Sequence, residues 1–214
     1  MEADPVVQQT TPPYIPVRSS GWPRPRIPRW LYLALAAFLV VAVLVALVHK
    51  PSKAEQATDL RGFLSYVTGD IESCAGGVSE SLQALHAVQA GQNSASDVSD
   101  GISVAQQGAQ NCGPATNMSI DDLQTYQVEQ SLDSYNLAGV VTDLINWAAP
   151  DAQRVQTDVA NVLSARTAVT RSRAEAQLNT DLAVLDEQRS QINTVINAAR
   201  RALGVTQPGP ALPG

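Results

Sequence analysis

Residues 60–88 read LRGFLSYVTGDIESCAGGVSESLQALHAV, and their apolar residues alternate at spacings of three and four. This is the pattern of one buried face on a long α-helix. Residues 98–112, VSDGISVAQQGAQNC, repeat it after a break at Gly91–Ser94. Residues at equal height in an antiparallel hairpin have a constant sum of residue numbers, and pairs from Val88 with Val98 to Cys74 with Cys112 keep that sum within one. The two stretches therefore predict an antiparallel helical hairpin.

Cys74 and Cys112 are the chain's two cysteines, and the register places them opposite each other at the end of this hairpin. We predict a disulfide bond between them, with two free buried thiols as the alternative. The bond would close a loop of about forty residues and contribute roughly 3–4 kcal/mol. We expect its role to be structural rather than redox, because the chain has no CxxC motif.

The remainder of the chain up to residue 203 is also predicted to be helical. Breaks at Cys112-Gly113-Pro114 and Ala149-Pro150-Asp151 separate two further predicted helices, over residues 119–148 and 151–203. Their apolar residues also pair at a constant sum if the two helices form a hairpin. The same register places Asp133 opposite Arg166, which predicts an ion pair that sets the alignment of the two helices.

Helix lengths predict the arrangement of this all-α region. At 1.5 Å per residue, the last helix is about 80 Å long and would return to the height at which the first begins. We therefore predict an antiparallel four-helix bundle on a two-helix stalk, in which residues 54–73 pack against residues 180–203. If the first helix begins at a membrane, as the apolar run before it predicts, Arg200 and Arg201 would lie at the membrane surface. Residues 204–214, with three prolines and three glycines, are predicted to be a disordered tail.

The apolar run LYLALAAFLVVAVLVALV, residues 31–48, predicts a single transmembrane helix about 27 Å long. Residues 1–30 contain seven prolines and four arginines, which predicts a disordered, basic cytoplasmic tail. Residues 49–203 would then form an extracytoplasmic bundle, attached to a cell membrane with the N-terminus inside and the C-terminus outside. A cleaved secretory signal is the alternative interpretation of this run.

Charge and motifs limit the functions to be expected. Residues 51–214 carry nine basic and eighteen acidic side chains, so nucleic acid is not an expected partner. The chain has two histidines and contains no HExxH, no GxSxG and no phosphate-binding glycine loop. We therefore predict no catalytic, cofactor-binding or metal-binding residues, no cofactor and no enzymatic activity.

These features favour a non-enzymatic interaction or scaffold protein, an accessory component of a cell-envelope assembly. Its expected partners are membrane lipid, through residues 31–48, and either another envelope protein or a second copy of the chain. The alternative is an extracytoplasmic sensor, in which the helical bundle binds a ligand. The identity of the partner, the oligomeric state and a specific role for the proline-rich tail are left open by the sequence.

Overall fold

The computed structural model describes residues 34–40, 51–91, 94–113 and 118–213. Most of these residues are helical and none of them forms a β-strand, which confirms the all-α class. Contacts divide the chain into two units, Met1–His49 and Lys50–Gly214.

In the first unit, residues 34–40 are helical, and the remainder of the predicted span lies outside the described residues together with the predicted cytoplasmic tail. No helix in the described ranges is both long and apolar enough to cross a bilayer.

The second unit is a helical bundle. Its described elements are α1 (Lys53–Gln89), α2 (Ala95–Asn111), α3 (Met118–Thr125), a 3₁₀ segment (Gln130–Tyr135), α4 (Leu137–Asn146), a π-helical segment (Trp147–Ala152), α5 (Gln153–Ser164) and α6 (Ala168–Leu203).

The first two helices form the predicted hairpin. A capping box starts each of them, from Ser52 with Glu55 in α1 and from Ser94 with Asp97 in α2. The carboxylates at these two helix starts therefore satisfy backbone donors. Gly91, just after α1, has a φ of 109°, a conformation that is easily reached only by glycine.

The hairpin has the register that the sequence predicts. Cys74 and Cys112 form a disulfide bond, with their Cα atoms 4.6 Å apart. One turn further along, a Cβ atom built on Gly77 would lie 2.8 Å from Cα of Gly108. The two backbones therefore approach closely because neither residue carries a side chain.

Residues 118–135 pack along the N-terminal half of α1, which we call its lower half, and they run towards its first residue. The ring of Tyr126 stacks on that of Tyr66 at 4.2 Å and lies 6.1 Å from that of Phe63. Further along, the hydroxyl of Ser131 donates a hydrogen bond of 2.6 Å to the carboxylate of Asp59. Residue numbers rise on this segment as they fall on α1, so α2, α3 and the 3₁₀ segment all run antiparallel to α1.

The prediction of one helix over residues 119–148 is therefore wrong. α2 and α3, which lie on either side of the Gly113-Pro114 break, run in the same direction, so the reversal predicted there does not occur. Such a break ends a helix but sets no direction. The reversal occurs at Asn136, whose φ of 55° is in the left-handed region that asparagine tolerates. The predicted two-helix stalk also differs from the structure, since residues 118–135 cover the lower half of α1.

The predicted hairpin turn at residues 149–151 is a kink within a rising segment. Ala149 has extended dihedral angles, φ −135° and ψ 113°, as expected before Pro150, and a π-helical turn continues the chain. In the described part of the chain, α4 and α5 do not pack side by side. Instead α5 packs on α2, and the side chain of Gln153 donates a 3.0 Å hydrogen bond to the carbonyl of Ala109.

The last reversal lies at Ala165–Thr167, where the sequence predicts continuous helix. Thr167 caps α6 by accepting a hydrogen bond from the backbone of Thr170. α6 then descends along α5, and Gln188 donates a hydrogen bond to Asp151 near the other end of α5. The described part of this unit thus has four antiparallel segments, which we call segments 1 to 4: residues 53–89, residues 95–113 with 118–135, residues 137–164 and residues 168–203.

The core lies along the axis shared by these segments. Trp147, at the kink, is its largest fully buried side chain. Fully buried residues from all four segments surround the axis, among them Phe63, Leu64, Ile71, Ile120, Leu132, Leu144, Leu185 and Ile192.

Residues 204–213 pack on the bundle, in contrast to the predicted disordered tail. Gly204, with a φ of 67°, ends α6 and turns the chain back. Beyond it Val205 and Leu212 are 5% and 7% exposed, and the side chain of Gln207 donates a 3.0 Å hydrogen bond to the hydroxyl of Ser65. The apolar residues among the prolines hold this tail against α1 and α6.

Candidate functional site

The disulfide is the predicted site that the structure contains. Cys74 and Cys112 are fully buried, and Gln156 of α5 donates a hydrogen bond of 3.1 Å to Sγ of Cys112. The bond therefore joins α1 and α2 in the interior of the bundle, with a contact from segment 3. This environment agrees with a structural role.

The predicted register pair is not among the salt bridges of the described residues. Asp133 lies in the 3₁₀ segment at the foot of the bundle, whereas Arg166 lies in the reversal between α5 and α6. Both side chains are exposed. The two were predicted to meet because helices over 119–148 and 151–203 were assumed to form a hairpin, but residues 137–164 belong to a single rising segment.

Arg200 has a role that the sequence does not predict. Its guanidinium donates hydrogen bonds of 2.8 Å to the side chain of Asn197 and to the carbonyl of Thr206. It thus holds the start of the tail, whereas Arg201 beside it is exposed. Contact of these two arginines with a membrane surface stays a prediction.

A cleft of about 620 Å³ lies at the reversal between α5 and α6. Its lining includes Asp158, Asn161, Arg166, Thr170, Arg173 and Gln177. Pockets of this size accommodate small organic ligands. Neither arginine is in a salt bridge of the described structure, so both cationic groups are available to an anionic or polar ligand.

Two carboxyl groups pair beside this cleft. Asp158 is 8% exposed; burial, and then a hydrogen bond and repulsion from Asp181, raise its pKa to about 6. A hydrogen bond from Gln177, 2.8 Å long, is the main cause that lowers the pKa of Asp181. Below about pH 6 Asp158 is expected to hold a proton that it can donate to Asp181, and this hydrogen bond would link α5 to α6.

The sequence contains a signal for this pair. Asp158 lies between Val155 and Val162 at helical spacing, which places a carboxyl group on the buried face of its helix. No spacing within the sequence identifies Asp181 as its partner. The two residues meet because the reversal at residues 165–167 folds α6 back along α5.

Asp158→Asn is expected to make the protein more stable at neutral pH. The pKa of Asp158 is higher in the folded than in the unfolded state. The contribution of Asp158 to the free energy of unfolding is therefore fully present below about pH 4 and is lost as the pH rises through about 6. Asparagine keeps a donor for Asp181 without the buried charge. We expect a gain of about 1–2 kcal/mol in the free energy of unfolding at pH 7, disappearing towards pH 4, measured by urea denaturation.

Asp186→Asn is the matched control, since Asp186 is an exposed carboxylate on α6 that pairs with Arg189. Its substitution should change stability by at most about 0.5 kcal/mol. A gain at Asp158 that is equal at pH 4 and pH 7 would show that the pair does not hold a shared proton.

The described residues contain no group of three or more histidine, cysteine, aspartate or glutamate side chains placed to hold a metal ion. His86 on α1 is exposed. The absence of a cofactor and of enzymatic activity stays a prediction.

Comparison with known proteins found no matching protein-family model and no significant match among curated proteins or solved structures.

Proposed function

We propose that this chain is a non-enzymatic, membrane-anchored interaction or scaffold protein. Residues 31–48 would form its membrane anchor, residues 1–30 a cytoplasmic tail, and residues 49–203 an extracytoplasmic bundle. Its place would be as an accessory component of a cell-envelope assembly, held to another envelope protein or to a second copy.

The disulfide between Cys74 and Cys112 is the observation that carries this proposal. Disulfide bonds persist in oxidising compartments outside the cytoplasm and are rare within it. The arginines before residue 31 favour the same orientation, because basic residues next to a span remain on the cytoplasmic side.

The shape of the bundle supports an interaction role. The described part of α1 has 37 residues and α6 has 36, so each rises about 55 Å. Two such helices side by side present a long lateral surface. We expect a partner to bind along this surface.

The topology is tested by the state of the two cysteines in the protein extracted from membranes. Alkylation without reductant, followed by mass spectrometry, should find a peptide linked through Cys74 and Cys112. Protease added to intact spheroplasts should also degrade the bundle while sparing residues 1–30. Two alkylated thiols, or a protected bundle, would contradict the extracytoplasmic location.

Stoichiometric co-purification of one envelope protein from detergent extract would support the scaffold role. An Asp133→Asn variant should co-purify the same partner in equal yield, because the side chain of Asp133 is exposed and is in neither salt bridge of the described residues. A chain that remains monomeric and without a partner after mild cross-linking would contradict it.

The cleft between α5 and α6 is the observation that favours the alternative, a ligand-binding bundle. In that case a small polar molecule should raise the melting temperature, and Arg166→Ala with Arg173→Ala should abolish the increase. The two functions are distinguished by whether the protein responds to a small molecule or to another protein.

A further inference from the structure

The tail from Val205 to Leu212 lies in a groove between α1 and α6, which we call the tail groove. On one side Gln207 donates hydrogen bonds to the hydroxyl of Ser65 and the carbonyl of Arg61, both on α1. On the other side Gly209 lies against Ile196 of α6, where a built Cβ would be 3.1 Å from a methyl carbon. The groove therefore holds the backbone of the tail close to both helices.

The occupant of the groove has few anchors. Val205, Pro210 and Leu212 are buried, and the tail forms no helix or strand of its own. A segment held by three apolar side chains and a few hydrogen bonds can detach at a small fraction of the free energy of global unfolding. The proline residues limit the conformations lost on binding, which favours an extended segment in this groove.

The tail also leaves part of the groove unfilled. An open cleft of about 330 Å³ is lined by Ala211 of the tail and, on α1, by Ile71, Ala75 and Gly76 together with polar residues of the same helix. Within the described part of the tail, Ala211 contributes a methyl group to this lining. A larger apolar side chain at the position of Ala211 would fill it.

From these observations we propose that the tail groove is a docking site for an extended, proline-containing segment of a partner protein, and that the chain's own tail competes for it. This inference rests on the proposed interaction function and specifies the chemistry of the partner. The partner segment would match the tail in its glycine, its prolines and the leucine at position 212, and would carry a larger apolar residue where the tail has Ala211.

The test uses the full chain in detergent, a variant that ends at Gly204, and a fluorescent peptide of residues 205–214. By fluorescence anisotropy, the truncated chain should bind the peptide at least tenfold more tightly than the intact chain, whose groove is occupied. A peptide with Ala211→Leu should bind at least threefold more tightly than the native peptide, and one with Leu212→Asp at least tenfold more weakly.

A second variant keeps the test decisive if truncation prevents folding. Leu212→Asp in the intact chain should release the tail and permit peptide binding equal to that of the truncated chain. Thr206→Ala is its control, because the side chain of Thr206 is exposed and its carbonyl still accepts from Arg200. This control should bind the peptide as weakly as the intact chain does.

Three results would overturn the inference. The first is equal affinity of the intact and the released chains, and the second is no binding by a released chain that retains its helical circular dichroism. The third is a dimer that dissociates on truncation, because the occupant would then be the tail of a second copy. Each of these is measured without a membrane, so failure here leaves the topology and co-purification results unaffected.

Discussion

Loss of the Cys74–Cys112 bond is expected to lower the free energy of unfolding by about 4 kcal/mol. The bond joins residues separated by 38 positions, and closing a loop of that length removes chain entropy from the unfolded state. For a unit of this size such a loss corresponds to a decrease of about 8–16 °C in melting temperature. The measurement is a thermal melt of the Cys74→Ala, Cys112→Ala variant beside the oxidised protein.

Reduction provides the matched control. Dithiothreitol should lower the melting temperature of the native chain by a similar amount and leave that of the double variant unchanged. Because both cysteines are fully buried, reduction should be slow in the folded state and rapid in urea. A double variant as stable as the oxidised protein would contradict the prediction, because the disulfide would then add nothing to the free energy of unfolding.

Gly77→Ala is expected to destabilise the bundle by about 1–3 kcal/mol, whereas Gly76→Ala should stabilise it by up to about 1 kcal/mol. The two residues are neighbours on α1. A Cβ at Gly77 would lie 2.8 Å from the backbone of Gly108, which can move away only if α2 moves too. A Cβ at Gly76 meets nothing within 4 Å, so it gains only the helix propensity of alanine.

The comparison is made by urea denaturation with the disulfide intact. Both variants remove one glycine from the same turn, so they share the same effect on the unfolded chain. The difference between them therefore measures the close approach of α1 and α2. Equal stability of the two variants would contradict that approach.

The hairpin of α1 and α2 could be predicted because its information is local. The helices are joined by a short connection. Each carries an unbroken apolar pattern, the first from Leu60 onward and the second from Val98 onward. Few alternative registers keep both patterns buried at once. The cysteines therefore fall opposite each other as a consequence of the hydrophobic register.

The directions of segments 2 and 3 could not be predicted in the same way. The residues Gly113-Pro114 and Ala149-Pro150 end helices, and a helix end is compatible with a reversal, a kink or a continuation. The structure reverses at Asn136 and at residues 165–167, where the sequence carries weaker signals. What distinguishes these outcomes is burial against other segments, such as that of Trp147 at the kink.

By itself, the sequence determined the helical class and the first hairpin with its disulfide. Tertiary structure alone decided which breaks reverse the chain, which carboxyl group meets Asp158, and where the tail packs. The physical reason is the separation along the chain over which each effect acts. Helix periodicity and capping act between residues a few positions apart. The pairing of Asp158 with Asp181 and of Gln207 with Ser65 depends on how whole segments pack together.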